Sequence, residues 1–389
     1  MGLLAPDTDH RSLLVKARRI IVKVGSGVVC NAAHEFDRKH MLPLIRDMAG
    51  LVHEGRQVVL VSSGAVTLGA AELGLHRARL GDASVTRACA ATGQTQLMEA
   101  YSGGFRRHRL KVAQVLLTED DFIEHARYQA LRQTFEKLLK LGAVPVVNEN
   151  DTVSNIWTDR APVFRDNDRL GALLLSKLDA DALVLLSNVD GLLEGAGSRN
   201  ARVIPTVTAI TPEIRELVQG VSSVGRGGMA AKLDAAEIGM KAGGLVVIAN
   251  GKTPKILERV FHGEQQGTVF LPGSRIAGKK RWLAFASAVR GEVTINANAR
   301  KALMESRASL LISGVTSVAG DFAAGQVISV KDAEGRLIGK GIAACGSHQL
   351  AARLNGEAEL RGLLIRRENF LISTEDNMPG SARAGVAHE

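Results

Sequence analysis

The sequence predicts an α/β protein: a mostly parallel central sheet with helices on both faces, followed by a small β-rich domain. Three observations predict it. Short apolar runs rich in Val, Ile and Leu alternate with longer helix-like stretches over most of the chain. Those runs lack polar alternation, which marks strands buried on both faces. The pattern then changes near Gly273-Ser274-Arg275-Ile276-Ala277-Gly278-Lys279-Lys280 to short β-like segments separated by turn signals. At 389 residues the chain is too long for one small core and suits two domains.

The elements follow in order. Residues 1–17 carry Asp7, Asp9 and His10 where a secretion signal needs an apolar segment, and read as a poorly ordered extension. Strand candidates are Ile20–Val24, Gln57–Ser62, Val112–Leu117, Ala143–Val147, Ala182–Ser187 and Gly244–Ala249. Helical patterns fill the intervals at Arg38–Glu54, Gly64–Leu73, Thr86–Gly104, Tyr128–Leu141, Asp168–Leu178, Thr211–Gln219 and Met229–Ala242. Such alternation implies parallel strands joined by right-handed crossovers. Ligands in these folds bind beyond the carboxyl ends of the strands. This domain is expected over 18–272. The glycine-rich basic stretch 273–280 reads as a linker. A second domain is expected over 281–370, with strands at Gly291–Ile295, Gly325–Val330 and Leu337–Ala343 and a helix at Ala299–Glu305. Residues 371–389 read as a tail.

Composition narrows the function classes. Aromatic residues make up only 4%, which argues against a base-stacking platform. A net charge of +9 suits either anionic metabolites or nucleic acid. The lysines and arginines are dispersed and form no long basic run, which favours metabolites. Cys30, Cys89 and Cys345 are widely separated and form no CxxC pair. Neither a zinc site nor a disulfide framework is suggested, and a reducing cytoplasm fits. No apolar run approaches the length of a membrane span.

The residues suited to chemistry stand at the ends of the expected strands. Ile20–Val24 feeds into Gly25-Ser26-Gly27, placing the Lys23 ammonium beside exposed backbone N–H groups. Glycine lets a backbone approach phosphate closely. A lysine at a strand end is also a common solvated cap, and the Walker A spacing is absent. Ser62-Ser63-Gly64-Ala65 opens a helix whose first N–H groups suit an anion, or simply a serine cap. Asn148-Glu149-Asn150-Asp151 and Asp166-Asn167-Asp168 gather amides and carboxylates after an apolar strand. They suit an amino acid's ammonium group or a metal, although Asn and Asp are also common turn residues. Gly225-Arg226-Gly227-Gly228-Met229-Ala230-Ala231-Lys232 can cradle nucleotide phosphates, with Lys232 reaching the transferring group; its plainer reading is a flexible loop with a helical lysine.

In this order, Lys23-Val24-Gly25-Ser26, Ser62-Ser63-Gly64-Ala65, Asn148-Glu149-Asn150-Asp151, Phe164-Arg165-Asp166-Asn167-Asp168 and Gly225-Arg226-Gly227-Gly228-Met229 resemble the amino-acid kinase family. Within it they are similar to the branch that phosphorylates the γ-carboxylate of L-glutamate. Each motif alone is only suggestive, but five in order are specific. The resemblance runs from Arg19 to Asn250 and continues into a region that looks like a PUA domain. It implies an amino-acid kinase fold and ATP-dependent formation of L-glutamyl 5-phosphate, the first step toward proline, with ATP and Mg²⁺ as cofactors. By position it implies that Lys23 and Lys232 neutralise the transferring phosphoryl group and that Asp168 orients them. Ser63, Asp151 and Asn167 match glutamate-binding positions. Lys23, Ser187, Asn188, Arg226, Gly227, Gly228, Met229 and Lys232 match the nucleotide site, and no side chain is assigned to a metal.

The resemblance also implies feedback inhibition by proline, self-association, a possible hand-over to a glutamyl phosphate reductase and a cytoplasmic location. The chain departs from the family at Ser187-Asn188, where Thr-Asp is common, at Arg226 in place of a Thr, at Ala230-Ala231 in place of a more hydroxylated pair, and in lacking an Asp-Pro-Arg segment between Gly191 and Arg202. These departures bear on nucleotide affinity and base preference, and also raise the reading of a degenerate kinase kept for regulation. Other acceptors shared by the fold are aspartate, N-acetylglutamate, carbamate and nucleoside monophosphates; the two polar clusters favour free glutamate. An RNA-binding role is suggested by the PUA-like part and the positive charge.

Overall fold

The computed structural model describes residues 10–75, 82–118, 120–123, 125–153, 167–198, 200–218, 228–273, 283 and 289–373. The chain divides into two compact units. One comprises Met1–Glu119 with Ala130–Arg275, the other Asp120–Gln129 with Ile276–Glu389.

The first unit is built on strands β1 Arg19–Val24, β2 Gln57–Ser62, β3 Lys111–Leu117, β4 Ala143–Glu149, β5 Ala182–Ser187, β6 Leu193–Glu194, β7 Arg202–Val203, β8 Thr206–Val207, β9 Leu245–Asn250 and β10 Thr268–Phe270. Eight of them form one sheet in the order β3-β4-β2-β1-β5-β9-β10-β8, and β6 with β7 makes a small hairpin. Neighbours from β3 to β9 are all parallel. β10 reverses, lying antiparallel to β9 and parallel to β8. The central strand β1 carries Ile20, Ile21, Val22 and Val24, all fully buried, as an apolar run covered on both faces must be.

Strand order also locates the site. β1 pairs with β2 on one side and with β5 on the other, so the connections diverge around it. Val24 registers against Ser62 and Leu186, and Ser187 against Asn250, so these strands end on one edge. A divergence of this kind opens a crevice at the carboxyl ends. The contact outlasts the strands: Gly25 N–H donates to the Leu186 carbonyl (3.0 Å) and Ser63 N–H to the Val24 carbonyl (3.1 Å).

Two corrections to the sequence reading concern boundaries. The expected disorder through residue 17 does not hold for its last part: Ser12–Val15 is helical and Leu14 is fully buried. Arg11 anchors this stretch by donating to four backbone carbonyls, those of Pro205, Glu264, Gln266 and Gly267. The second unit holds more structure than its pattern suggested. Its strands are β11 Val289–Ile295, β12 Leu310–Leu311, β13 Val315–Gly320, β14 Val327–Lys331, β15 Leu337–Ile342, β16 Leu363–Ile365 and β17 Phe370–Ile372. Five form a sheet in the order β13-β11-β14-β15-β17, and β12 pairs with β16. β13 escaped notice because only Val315 of its six residues is buried, which leaves little apolar signal. A helix at Ser347–Leu354, anchored by the fully buried Leu350, also lay outside the expectation. Among the described residues, no helix is long and apolar enough to cross a membrane.

Candidate active site

Lys23 is the penultimate residue of β1, and Lys232 lies one turn into the helix Met229–Lys241. Between them stands Asp168, at the start of the helix Asn167–Lys177. Lys23 Nζ lies 2.6 Å from Asp168 Oδ1, and Lys232 Nζ lies 3.0 Å from Asp168 Oδ2. All three side chains are buried. Burial alone would raise the Asp168 carboxyl, but the Coulombic pull of Lys23 and Lys232 outweighs it and holds the group below the usual carboxylate range. One carboxylate thus fixes two ammonium groups in place. Such a cluster suits a multiply charged anion, because a pair of ammonium groups in a low-dielectric site attracts negative charge strongly.

Beside this cluster the amides converge. Asn167 Nδ2 donates to the Ser62 carbonyl (3.1 Å), to Ser63 Oγ (3.0 Å) and to Asn148 Oδ1 (3.0 Å). Asn148 is buried and its Nδ2 donates to Gln94 Oε1 (3.0 Å) from the helix Ala83–Arg106. Gly64 sits at φ 107°, a left-handed turn that needs glycine, and a Cβ there would stand 2.9 Å from Val29 Cγ1. That tight turn brings Ser63 against the end of β1. Asp151 lies half-buried in the turn that follows β4.

On the other side of β1, Ser187 closes β5 and Asn188 follows it. The Ser187 hydroxyl is buried and has no hydrogen-bond partner among the described residues. The Asn188 amide packs over Gly27, where a Cβ would lie 2.4 Å from Nδ2. Gly228 caps the helix Met229–Lys241 in an extended conformation (φ −68°, ψ −175°), without a side-chain cap on the first helical N–H groups. Arg226 and Gly227 lie outside the described residues.

The structure therefore brings Lys23, Asp168 and Lys232 into direct contact, and joins Ser63 to Asn167. Sequence reasoning passed over two residues. Asn148 was noted only as part of a polar cluster, yet it bridges Asn167 to the neighbouring helix. Gln94 stands in mid-helix with no turn or charge to mark it, and the Gly93 before it reads as a helix-packing glycine rather than as part of a site, so the sequence did not single it out.

The description "Amino acid kinase family" matches residues 18–250, and a PUA domain matches residues 291–359. The chain is 44% identical over 344 residues to the glutamate 5-kinase of Myxococcus xanthus, covering 87% of this chain and 90% of that protein. It is 40% identical over 379 residues to the glutamate 5-kinase of Moorella thermoacetica, covering 94% and 99%. The glutamate 5-kinase of Thioalkalivibrio sulfidiphilus is 38% identical over 378 residues, with 94% and 100% covered. The chain belongs to the amino acid kinase family, and within it to the glutamate 5-kinase group.

Proposed function

We propose that the protein transfers the γ-phosphoryl group of ATP to the γ-carboxylate of L-glutamate, giving ADP and L-glutamyl 5-phosphate, the first step of proline biosynthesis. The observation that carries this reading is the contact of both Lys23 and Lys232 with Asp168 at the carboxyl end of the central strand. The attacking group has a reference pKa of ~4.3 and is ionised at neutral pH, so the reaction needs no general base. The barrier is electrostatic, since one anion must approach another in line. Lys23 and Lys232 neutralise the transferring group, and Asp168 holds them at fixed spacing rather than taking a proton. Asn167, Ser63 and Asp151 hold the amino acid. The Gly228 end of its helix, Met229, Ser187 and Asn188 form the nucleotide side with Arg226 and Gly227.

Mg²⁺ fits this site as a companion of the nucleotide. Both Asp168 oxygens already face lysines, and no cluster of three His, Cys, Asp or Glu exists among the described residues. Phosphate oxygens would hold the ion, which would lower the charge of the nucleotide when bound. Proline as a competing ligand, self-association, delivery of the acyl phosphate to a reductase and a cytoplasmic location belong to the same reading. The PUA domain motivates a second activity, RNA binding, which a filter titration with tRNA at two salt concentrations would detect.

The test is ADP release in a coupled assay with L-glutamate, L-aspartate, N-acetylglutamate and carbamate as separate acceptors. Stoichiometric turnover with L-glutamate alone is expected. Turnover with another acceptor and none with L-glutamate would overturn the proposal, and ATP turnover with none would mark a degenerate kinase.

A further inference from the structure

The amide chain running from Gln94 through Asn148 to Asn167 has a polarity set by the backbone. Asn148 Oδ1 accepts from the Glu149 N–H at 2.9 Å, and a backbone N–H can only donate. The other end of that amide is therefore Nδ2, and the Gln94 atom 3.0 Å away must be its acceptor oxygen. At the opposite end, Asn167 faces the Ser62 carbonyl at 3.1 Å, and a carbonyl can only accept. Asn167 therefore turns Nδ2 toward Ser62, Ser63 and Asn148, whose three oxygens share its two N–H groups. Its Oδ1 is left buried with no partner among the described residues. A buried acceptor without a donor is costly unless a ligand supplies one. It lies one residue from Asp168, at the phosphoryl-transfer cluster.

Gln94 reaches this chain because its helix comes unusually close. A Cβ on the preceding Gly93 would lie 1.9 Å from the Ala65 carbonyl oxygen, so the backbones of Ala83–Arg106 and Ala65–Glu72 touch there. We infer that Gln94 is a specificity-determining positioning residue: by accepting from Asn148 Nδ2 it anchors the Asn148 amide, whose polarity the backbone sets, and through it steadies the Asn167 carboxamide, whose Oδ1 is left as a bare acceptor for an N–H donor on the substrate, the ammonium group of a free amino acid. The inference rests on the function proposed above and adds the residue that sets its discrimination. Without the Gln94 oxygen, the Asn148 amide loses the acceptor that satisfies its Nδ2. Asn148 then shifts, and the Asn167 carboxamide loses one of the three contacts that hold it in place.

The experiment is steady-state kinetics of the full chain with L-glutamate and with glutarate, which lacks the ammonium group. Gln94→Met keeps the shape without hydrogen bonding, Gln94→Ala removes the side chain, and Gln94→Glu restores an acceptor oxygen. Thermal unfolding by circular dichroism verifies that each is folded. Gln94→Met and Gln94→Ala are expected to raise KM for L-glutamate about tenfold, the size expected when a buried polar contact is lost. KM for ATP and kcat are expected to stay within about threefold, and the preference for L-glutamate over glutarate to fall in step with KM. Gln94→Glu is expected to remain within about threefold of the parent in KM and preference, since its oxygen accepts from Asn148. The inference is overturned if folded Met and Ala variants keep the parent KM and preference. It is also overturned if Gln94→Glu is as impaired as Gln94→Met, or if the loss falls on kcat alone. A parent protein that uses a different amino acid in place of L-glutamate sinks the proposed substrate, and the Gln94 inference is then scored on that acceptor and its deaminated analogue.

Discussion

At the scale of single residues, charge and hydrogen-bond geometry divide the labour. Lys23, Asp168 and Lys232 are three charges within 3.0 Å contacts, and their net charge is positive. A charge that acts on the transition state should appear in kcat. Lys232→Ala is therefore expected to lower kcat at least ~100-fold, the size seen when a transition-state charge contact is lost. Near-parental turnover of the purified variant would remove Lys232 from the chemistry. Asp151 is proposed to hold the amino acid, so Asp151→Ala should raise KM for L-glutamate about tenfold or more with a smaller change in kcat. An unchanged KM would remove Asp151 from the acceptor site. Lys23, Lys232 and Asp168 were legible because lysines at glycine turns and carboxylates after strands leave marks in the sequence. The link from Asn167 to Asn148 and Gln94 was not, because it joins three elements that meet only after folding, and a glutamine inside a helix carries no local signature.

Elements are where backbone contacts and burial decide. The central strands were legible because an unbroken apolar run has few alternatives to a two-faced strand. β10 was harder: three residues long and antiparallel to β9, it lacks the helix–strand rhythm of its neighbours. The contact of the helices Ala65–Glu72 and Ala83–Arg106 depends on glycine in both, for a Cβ on Gly69 would lie 1.8 Å from the Cys89 carbonyl oxygen. Gly93→Ala tests it with opposing effects. Helix propensity favours alanine by about 1 kcal/mol, whereas forcing a methyl into backbone contact costs about 1–3 kcal/mol. The contact at 1.9 Å is with backbone, which cannot rotate away, so a net loss of stability is expected in urea denaturation. A stabilised variant would mean that the helices part freely. A second element contact is electrostatic. Asp47, on the helix Arg38–His53, is buried where that helix packs against the helix Ile256–Phe261, and burial pushes its carboxyl up to about 6. The folded pKa exceeds the unfolded one, so folding takes up a proton between about 4 and 6 and the charged form opposes folding above that range. Asp47→Asn keeps the shape and removes the charge. It should stabilise the protein by about 1 kcal/mol at pH 8, with the gain shrinking through pH 6 and absent below about pH 4. A gain independent of pH would refute the burial account.

For the whole molecule, the decisive fact is that every described site residue belongs to the first unit. Lys23, Ser63, Asn148, Asp151, Asn167, Asp168, Ser187 and Lys232 all fall within Met1–Glu119 or Ala130–Arg275. The second unit has its own apolar interior, in which Val293, Ile328, Val330, Leu350, Leu364 and Phe370 are almost fully buried. The change of sequence pattern after Gly273 foretold this division. It did not foretell that Asp120–Gln129 groups with the second unit, because that segment runs straight on in sequence into the helix His125–Lys140, whose remainder belongs to the first. Two separate cores predict two unfolding transitions in calorimetry of the intact chain. Ligands that bind only the native first unit stabilise that unit alone, by about 2.7 kcal/mol at a hundred times Kd. L-glutamate with a non-hydrolysable ATP analogue should therefore raise one transition and leave the other in place. Ile328→Ala, which empties part of the second core at a cost of about 2 kcal/mol or more, should lower the transition that the ligands leave alone. If the ligands and Ile328→Ala move the same transition, the two cores unfold as one, and the second unit must then contribute to the stability of the site.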